Sequence, residues 1–542
     1  MPFPTHHHQH NHSTASSINN HPHPLRSHIS TQEGFGDGAR VGGGGGEVPV
    51  RPPLRPMVSF GEISMVSYYS MDEPILEKES NGSRGGSDWR FYGCFACLAL
   101  LNFVCDVSFT ALATALPTIS QDLSLTAVQT LWITGSLLLS AAIAQPLFMR
   151  LPAALGCKAI LLFGIAVYIT GSILAACAED ATSIIAARSI EGFGVGAIMV
   201  LTQLTLNQIG RAACSAPALI ALPFLLRLPY VEAGSIWRRL LKVDILGWLL
   251  LSGSLVSIAF AVSLGGTAHA WNSFNILVPL IAGMICLPLW CIYNRYRIEA
   301  ILPVSIFNNA SAAAACFGAF AHGAILAAII YLVPIFLQLQ GLNELVSGVS
   351  LAPWTFSIVA FGLLGGAVQS LSGYRWAIWT GWGFATLGVG LMILFKESTS
   401  ATFCAPIGLI GGIALGLLLP SQTTAIESAA STDDETIHAA PLHIYLTTLG
   451  QCFGVLGGSS IFLNKLKNDM LGNSYPSSNA LNYTKHAFFM TGLRSNLIAS
   501  YTSSLRPVWI TACAIAGLAF FLSFWFLEDH TPSRRPSLPE LE

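Results

Sequence analysis

The stretch of sequence that decides the fold is residues 311–338, which read SAAAACFGAFAHGAILAAIIYLVPIFLQ. It contains no Asp, Glu, Lys or Arg. At 1.5 Å per residue, an α-helix of this length crosses the roughly 30 Å hydrocarbon core of a lipid bilayer. Backbone polar groups in lipid must be paired within the segment, so the stretch is predicted to be a transmembrane helix rather than a strand.

Similar apolar runs recur on both sides of this stretch. Hydrophobic residues make up 53% of the chain and charged residues only 10%, whereas roughly a quarter of a soluble domain is charged. The chain is therefore predicted to be an all-α, polytopic membrane protein with about 12 full transmembrane helices. The predicted spans are 91–117, 128–149, 159–178, 182–207, 243–264, 274–293, 311–338, 347–370, 376–395, 402–426, 439–463 and 507–527.

The positions of Lys and Arg predict the orientation, because cytoplasmic loops carry an excess of these residues. Short loops such as 265–273 and 339–346 carry none, so they are predicted to be external together with the long loop 464–505, and both termini to be cytoplasmic. Asn482, followed by Tyr483 and Thr484 in the long loop, is a predicted glycosylation site. The basic residues that mark alternate loops as cytoplasmic are Arg150, Lys158, Arg238, Arg239, Lys242, Arg295, Arg297 and Arg375.

Residues 212–229 do not fit this pattern. They are apolar but contain Pro217 and Pro223, and the stretch between Arg211 and Arg227 is shorter than an ordinary span. A single crossing here would reverse the side of every later loop against the charge pattern. The segment is predicted to be a short partial element that is re-entrant, interfacial or buried against its neighbours. A thirteenth span is the alternative.

Residues 1–88 form a low-complexity segment with little apolar surface. They are therefore predicted to be a disordered cytoplasmic tail whose histidine cluster is solvated rather than metal-bound.

Other features exclude several functions. The 12 cysteines show no paired spacing, which argues against a disulfide framework and a zinc site. The net charge of −2 argues against nucleic-acid binding. The sequence has no GxxxxGK[ST] motif, which disfavours an ATP-driven transporter. Its scattered Ser, His and Asp residues lack a soluble domain to assemble them, so no enzyme is predicted, and no cofactor or metal is expected.

Several motifs, in order along the chain, resemble the major facilitator superfamily, specifically its fungal fourteen-span branch of drug:proton antiporters. They are NFVCDVSFTALATALPTI (102–119), GSLLLSAAIAQPLF (135–148) and RSIEGFGVG (188–196), followed by VDILGWLL, FGAFAHG, SGVSLAP and LRPVWITACAIAG. The resemblance covers nearly everything after residue 88. It implies two six-helix bundles with two extra helices between them, and alternating access through rocking of one bundle against the other.

The resemblance divides the chain into parts and implies a function. A truncated N-terminal bundle is expected at 89–230, a cytoplasmic linker with the two extra helices at 231–298, a C-terminal bundle at 299–528 and a cytoplasmic tail at 529–542. The implied function is a secondary active transporter that exports small amphipathic molecules in exchange for protons. A monomer surrounded by lipid is expected in the plasma membrane, with the vacuolar membrane as the alternative.

One departure from the family pattern lies after Gly210. The family continues there through a fifth helix and most of a sixth, whereas Arg211 leads almost directly to ALPFLLRLPY (221–230). About two spans, on the order of 40–50 residues at ~20 per span, are absent. A mis-assembled coding sequence and a natural short form both explain this. A transport-incompetent truncated protein or membrane interaction protein, and a facilitator without proton coupling, are therefore alternative functions.

A second departure lies in FMRLPAALGCKA (148–159), where the family has a charged cytoplasmic gate. Arg150, Gly156 and Lys158 are the predicted gate residues. Cys157 stands where the family has an arginine, and Ala154 lies near its usual acid. The charge pairs that hold the cytoplasmic side closed are therefore expected to be weakened.

Four residues in the spans are candidates for proton coupling, because an ionisable group in a membrane is a functional candidate by default. Asp106 lies two residues before Ser108, where the family has its aspartate, and two residues turn a helix by roughly 200°; a structural or drifted residue is its alternative. Arg188 and Glu191 are three residues apart and can form an ion pair, which is either functional or only structural. His322 either titrates near neutral pH or joins helices by a hydrogen bond.

Three further polar residues are candidates for hydrogen bonds to a solute along the path between the bundles. They are Asn102, Gln145 and Gln451. The alternative is that they hold helices together, as polar side chains in membranes often do.

Overall fold

A computed structural model describes residues 88–211, 242–297, 300–397, 399, 401–472 and 491–528. Within these ranges the chain is almost entirely helical, and an isolated bridge between Gly265 and His269 is its only β-type pairing. A 3-10 helix, Val304–Asn308, precedes α7. The helices are α1 (Asp88–Asp122), α2 (Ala127–Leu155), α3 (Cys157–Ala176), α4 (Ala181–Arg211), α5 (Ile245–Leu264), α6 (Phe274–Arg295), α7 (Ala310–Leu339), α8 (Glu344–Val349), α9 (Ala352–Ser372), α10 (Tyr374–Met392), α11 (Ala401–Ser428), α12 (Asp433–Gly472) and α13 (Thr491–Phe526).

Each of the twelve predicted spans coincides with a helix, and the all-α membrane fold is confirmed. Eleven stretches of the described residues are long and apolar enough to cross a membrane. The helix outside that set is α10, whose first turns carry Arg375 and three tryptophans. It nevertheless packs beside α11 and α13, and Trp382 in its middle is fully buried.

Two helices extend well into a predicted loop. α12 and α13 include residues 464–472 and 491–505, which the sequence analysis assigned to the extracellular loop 464–505. Hydropathy identifies only the part of a helix that lies in lipid. Once a helix has formed, each added residue gains a hydrogen bond at little cost, so polar residues prolong it beyond the membrane.

The first bundle is built around α4, which packs between α2 and α3. Its glycines allow this close approach. A Cβ atom at Gly192 would lie 2.1 Å from the Leu137 carbonyl oxygen of α2, and one at Gly194 would lie 2.5 Å from the Tyr168 nitrogen of α3. Gly196 approaches α2 in the same way. These three glycines therefore serve helix packing.

Gly362 and Gly366 of α9 are not needed for a close helix approach in this way. A Cβ atom at Gly362 would make ordinary contact at 3.7 Å, and one at Gly366 would meet nothing within 4 Å. α9 also leaves Phe356 and Leu363 75% and 76% exposed. Glycines in similar sequence contexts therefore differ in packing, because the neighbouring helix decides whether their missing side chain is needed.

The second bundle contains α7 and α9–α13, and the α5–α6 hairpin links the two bundles. α5 contacts both α2 and α12. Trp248 Nε1 of α5 donates a hydrogen bond to the Ile143 carbonyl oxygen of α2 at 2.8 Å. Asn464 Nδ2 of α12 donates to the carbonyl oxygen of Gly265, just after α5, at 2.9 Å. The hairpin therefore supports the seam where α2 meets α12.

Some predictions fall on residues outside the described ranges. They concern the N-terminal tail with its histidine cluster, the partial element at 212–229, the glycosylation site Asn482 and the C-terminal tail after residue 528. They stay predictions.

Replacing Gly192 with alanine is expected to lower the melting temperature of the purified protein. The new methyl group would lie 2.1 Å from the Leu137 carbonyl oxygen, and overpacking of this kind costs about 1–3 kcal/mol. Gly366→Ala is the matched control, because its methyl group meets nothing within 4 Å; it should leave the melting temperature unchanged or raise it. Equal losses at both positions would contradict the packing of α4.

Candidate functional site

The two bundles meet, at the end that the Lys and Arg pattern predicts to be cytoplasmic, through an ion pair between Arg150 of α2 and Asp434 of α12. Arg150 Nη1 donates to Asp434 Oδ1 at 2.7 Å, and Nη2 donates to Oδ2 at 3.0 Å, so the pair is bidentate. His438 lies one turn further along α12, with Nδ1 3.3 Å from Asp434 Oδ1 and 2.8 Å from the Asp434 carbonyl oxygen. We call these three residues the cytoplasmic latch.

The local structure explains why these charges lie at the bundle interface. Asp434 lies in the first turn of α12, where the helix dipole favours a carboxylate. Glu435 caps the start of α12 by accepting a hydrogen bond from the Ser431 amide at 2.7 Å. The negative charge of the latch is therefore compatible with the helix that carries it.

The predicted gate residues have different roles in the structure. Arg150 belongs to the latch. Gly156 forms the turn between α2 and α3 with φ 85°, a conformation that favours glycine. Lys158 lies half-buried in the first turn of α3. Asp434 of the other bundle supplies a carboxylate that the loop itself lacks. The expectation that the charge pairs of the gate are weaker than in the family stays a prediction.

A hydrogen bond joins the bundles at the middle of the membrane. Gln145 Nε2 of α2 donates to Thr448 Oγ1 of α12 at 2.9 Å. The void beside it measures about 20 Å³, roughly enough for one water molecule. Asp106, Thr448 and Gln451 are its polar lining residues. The apolar lining residues are Cys105, Phe109, Leu137, Leu138, Ala141, Val195 and Met199. The path between the bundles is closed at this level.

Hydrogen bonds also join the bundles at the external end. Gln338 Nε2 of α7 donates to the Thr114 carbonyl oxygen of α1 at 2.9 Å and to Ser347 Oγ of α8 at 3.0 Å. The Thr118 hydroxyl of α1 donates to the Glu344 carboxylate of α8. Within the described ranges, polar contacts therefore join the bundles at both ends and in the middle, as in an occluded arrangement.

A larger cavity lies inside the first bundle, between α1, α3 and α4, and we call it the first-bundle cavity. Its volume is about 420 Å³. Arg188 Nη1 and Glu191 Oε2 form an ion pair at 2.8 Å in its wall, with the Glu191 side chain 1% exposed. Ser108, at the position of the family aspartate, lines the same cavity, and its hydroxyl lies 2.7 Å from the Tyr168 hydroxyl.

The structure brings together only two of the four candidates for proton coupling, Arg188 and Glu191. Asp106 is exposed on α1 and adjoins the midplane void rather than the first-bundle cavity, as expected from its rotation relative to Ser108. His322 is buried in α7, and neither of its ring nitrogens has a hydrogen-bond partner among the described residues. The helix-joining hydrogen bond offered as its alternative is thus not observed.

Two of the three candidates for solute contact lie on the path. Gln451 lines the midplane void, and Gln145 donates a hydrogen bond to Thr448, which also lines it. Asn102 differs, because its Nδ2 donates to the Leu98 carbonyl oxygen of its own helix at 2.8 Å.

Sequence reasoning missed Asp434, His438 and Thr448. A run of acidic residues directly before an apolar span is a signal for the start of a helix, so the position of Asp434 at a helix start could have been predicted from the sequence. Its ion-pair partner could not have been predicted, because Arg150 lies 284 positions earlier in the chain.

Comparisons with known proteins agree with this architecture. The Major Facilitator Superfamily model matches residues 98–210, which contain most of α1 and all of α2, α3 and nearly all of α4. The chain is 28% identical to the MFS transporter L2 of Phoma sp., over 89% of this chain and 88% of that protein. It is 26% identical to the MFS efflux transporter aclA of Aspergillus oryzae, over 84% and 91%. It is 28% identical to the MFS-type efflux pump MMF1 of Pseudozyma antarctica, over 72% and 81%.

These relatives align with most of the chain, and each is a transporter by name. The family match covers the bundle that supplies Gln145, Arg150, Arg188 and Glu191. The prediction of a transporter rather than an enzyme is confirmed. Residues 98–210 match the Major Facilitator Superfamily model, and most of the chain is similar to transporters of that superfamily.

Proposed function

We propose that the chain is a secondary active exporter of small amphipathic molecules, driven by exchange with protons. It acts as a single chain in the plasma membrane, with the vacuolar membrane as the alternative location. The central observation behind this proposal is the closed path between two bundles that touch through few polar contacts.

These contacts suit a protein that alternates between two open states. The cytoplasmic end is held by one bidentate ion pair, the middle by the Gln145–Thr448 hydrogen bond, and the external end by bonds of Gln338 and Thr118. Rocking of the bundles breaks the contacts at one end while those at the other end stay formed. Neither opening requires the core of a bundle to unpack.

The lining of the midplane void supports an amphipathic solute. Most of its side chains are apolar, and Gln451 and Thr448 provide a small number of hydrogen-bonding groups. Ligand sites commonly combine such walls with a few polar groups. Met199 adds a flexible, polarizable side chain that adapts to different shapes. Two of the similar proteins are efflux transporters by name, which supports the outward direction.

The Arg188–Glu191 pair supports proton coupling. Glu191 is almost fully buried, so its protonation removes one charge of the pair and leaves Arg188 uncompensated. An uncompensated buried charge is strongly unfavourable, and a proton therefore changes the relative free energies of two conformations. Asp106 is more exposed and has no ion-pair partner among the described residues. We assign the coupling proton to Glu191 and a solute contact to Asp106.

Glu191→Gln is expected to abolish the part of transport that depends on a proton gradient, because the amide cannot bind the coupling proton. The measurement is rhodamine 6G movement in proteoliposomes with and without an imposed pH gradient. A coupling free energy of about 1–3 kcal/mol corresponds to a loss of about 5- to 150-fold. Asp106→Asn is the matched control and should keep its response to the gradient.

Unchanged gradient-driven transport by Glu191→Gln would exclude this carboxylate as the proton carrier. If only Asp106→Asn loses the response of transport to the gradient, the coupling proton is assigned to Asp106 instead. If the wild-type protein moves the dye at the same rate with and without the pH gradient, the result would support a facilitator without proton coupling.

A transport-incompetent truncated protein is the second candidate, and three observations favour it. The family match ends at Gly210. The alignment with the Phoma transporter spans 533 positions but only 89% of this chain, so about 50 positions, roughly two spans of ~20 residues, have no residue here. α9 also exposes a row of large apolar side chains. These are Phe356, Val359, Leu363, Leu364 and Val368.

Transcripts from the natural source are expected to contain an in-frame insertion of about 50 codons after codon 210, long enough for about two spans. Such an insertion would restore a complete first bundle and favour the exporter. If every transcript instead joins codons 210 and 211 directly, the short chain is the natural protein. An absence of dye movement in that short chain would then favour the transport-incompetent form.

A further inference from the structure

The first-bundle cavity extends from the external surface to the middle of the membrane. Asp122, Leu123 and Ala178 line its mouth, at the connections that the Lys and Arg pattern places outside. Glu191 lines its floor. At 1.5 Å per residue, Glu191 lies about 15 Å below the start of α4, which is half of a hydrocarbon core of roughly 30 Å.

The size and lining of this cavity suit water. Its volume of about 420 Å³ holds about a dozen water molecules at about 30 Å³ each. Polar groups occur along its whole depth, with Asp122 at the mouth, Ser172 on the wall and Ser108 near the floor. Arg188 Nε is buried without a hydrogen-bond partner in the described part of the chain. Buried polar atoms are normally paired, so this donor points to a water molecule.

The cavity is separate from the path between the bundles. At its floor, a Cβ atom at Gly171 of α3 would lie 2.3 Å from the Glu191 nitrogen, and α2 closes the other side of α4 at Gly192. The cavity and the midplane void share no lining residue: Ser108 lines the cavity, whereas the next residue, Phe109, lines the void. Every residue that lines the cavity belongs to the first bundle.

We propose that the first-bundle cavity is a water-filled passage through which Glu191 exchanges protons with the external solution while the path between the bundles stays closed. This rests on the proposed function, in which Glu191 carries the coupling proton. Asp122 adds a negative charge at the mouth, which raises the local concentration of cations, hydronium included. Proton and solute then follow different routes, and the proton binds before either end of the solute path opens.

Labelling with dicyclohexylcarbodiimide tests the passage without any transported solute. This apolar reagent reacts with protonated carboxyl groups, so the yield of its adduct at Glu191, measured by mass spectrometry, reports protonation of that side chain. The full chain is reconstituted into proteoliposomes sorted for one orientation. Lowering the external pH by about two units should raise the yield severalfold, because more protons then reach the Glu191 carboxylate through the passage. The same change of internal pH should leave the yield unchanged.

Two tryptophan variants of α3 refine the test. Ala175→Trp places a large side chain in the cavity and should remove the response to external pH. Ala166→Trp, on the exposed side of the same helix, is the matched control and should keep the response. Glu191→Gln must lose the adduct. If Ala175→Trp fails to fold, the comparison of external with internal pH in the wild type still decides the question.

A yield that follows internal pH, or that ignores pH on both sides, would overturn the passage, and so would a normal response in a folded Ala175→Trp variant. An absence of adduct at every pH would equally contradict the passage.

The proposed passage and the proposed exporter can be refuted independently of each other. Gradient-driven dye transport with an adduct that ignores external pH would refute only the passage, whereas a normal adduct response without dye transport would refute only the exporter.

Discussion

The Arg150–Asp434 ion pair is the contact on which the closed state of the path depends. The Arg150 side chain is 9% exposed, so both charges have lost much of their hydration and are stable there only while they face each other. Separation of the bundles at this end must return them to water. The interaction therefore favours two well-defined states, closed with the pair formed or open with both groups hydrated. Contacts in the middle and at the external end are single hydrogen bonds between mostly neutral groups.

The first bundle contains a second ion pair with a different role. Arg188 and Glu191 lie on one helix and stay together when the bundles move, so this pair does not hold the bundles. In the proposed exporter its effect depends on protonation instead. A proton on Glu191 would leave a buried cation and favour the conformation that hydrates or neutralises Arg188. In that proposal one ion pair closes the path, while the other links its opening to the proton.

Lipid made most of the fold predictable from the sequence, because every spanning segment must satisfy its own backbone. Local pairs such as Arg188 and Glu191 were predictable from helical spacing alone. The latch was not, since Arg150 and Asp434 meet only after the chain has crossed the membrane many times. Gly192 and Gly366 show the same limit: both lie in apolar helices, but only Gly192 faces a neighbour close enough to exclude a side chain.

Charge reversal at the latch tests this account most directly. A single cysteine at Thr448, in a background without other reactive cysteines, is labelled with a membrane-impermeant maleimide from the cytoplasmic side. Arg150→Asp or Asp434→Arg alone should increase labelling, because like charges then face each other across the bundles. The double reversal should bring labelling back towards the wild-type rate. Unchanged labelling in both single variants, or increases that simply add in the double variant, would contradict the claim that this ion pair closes the path.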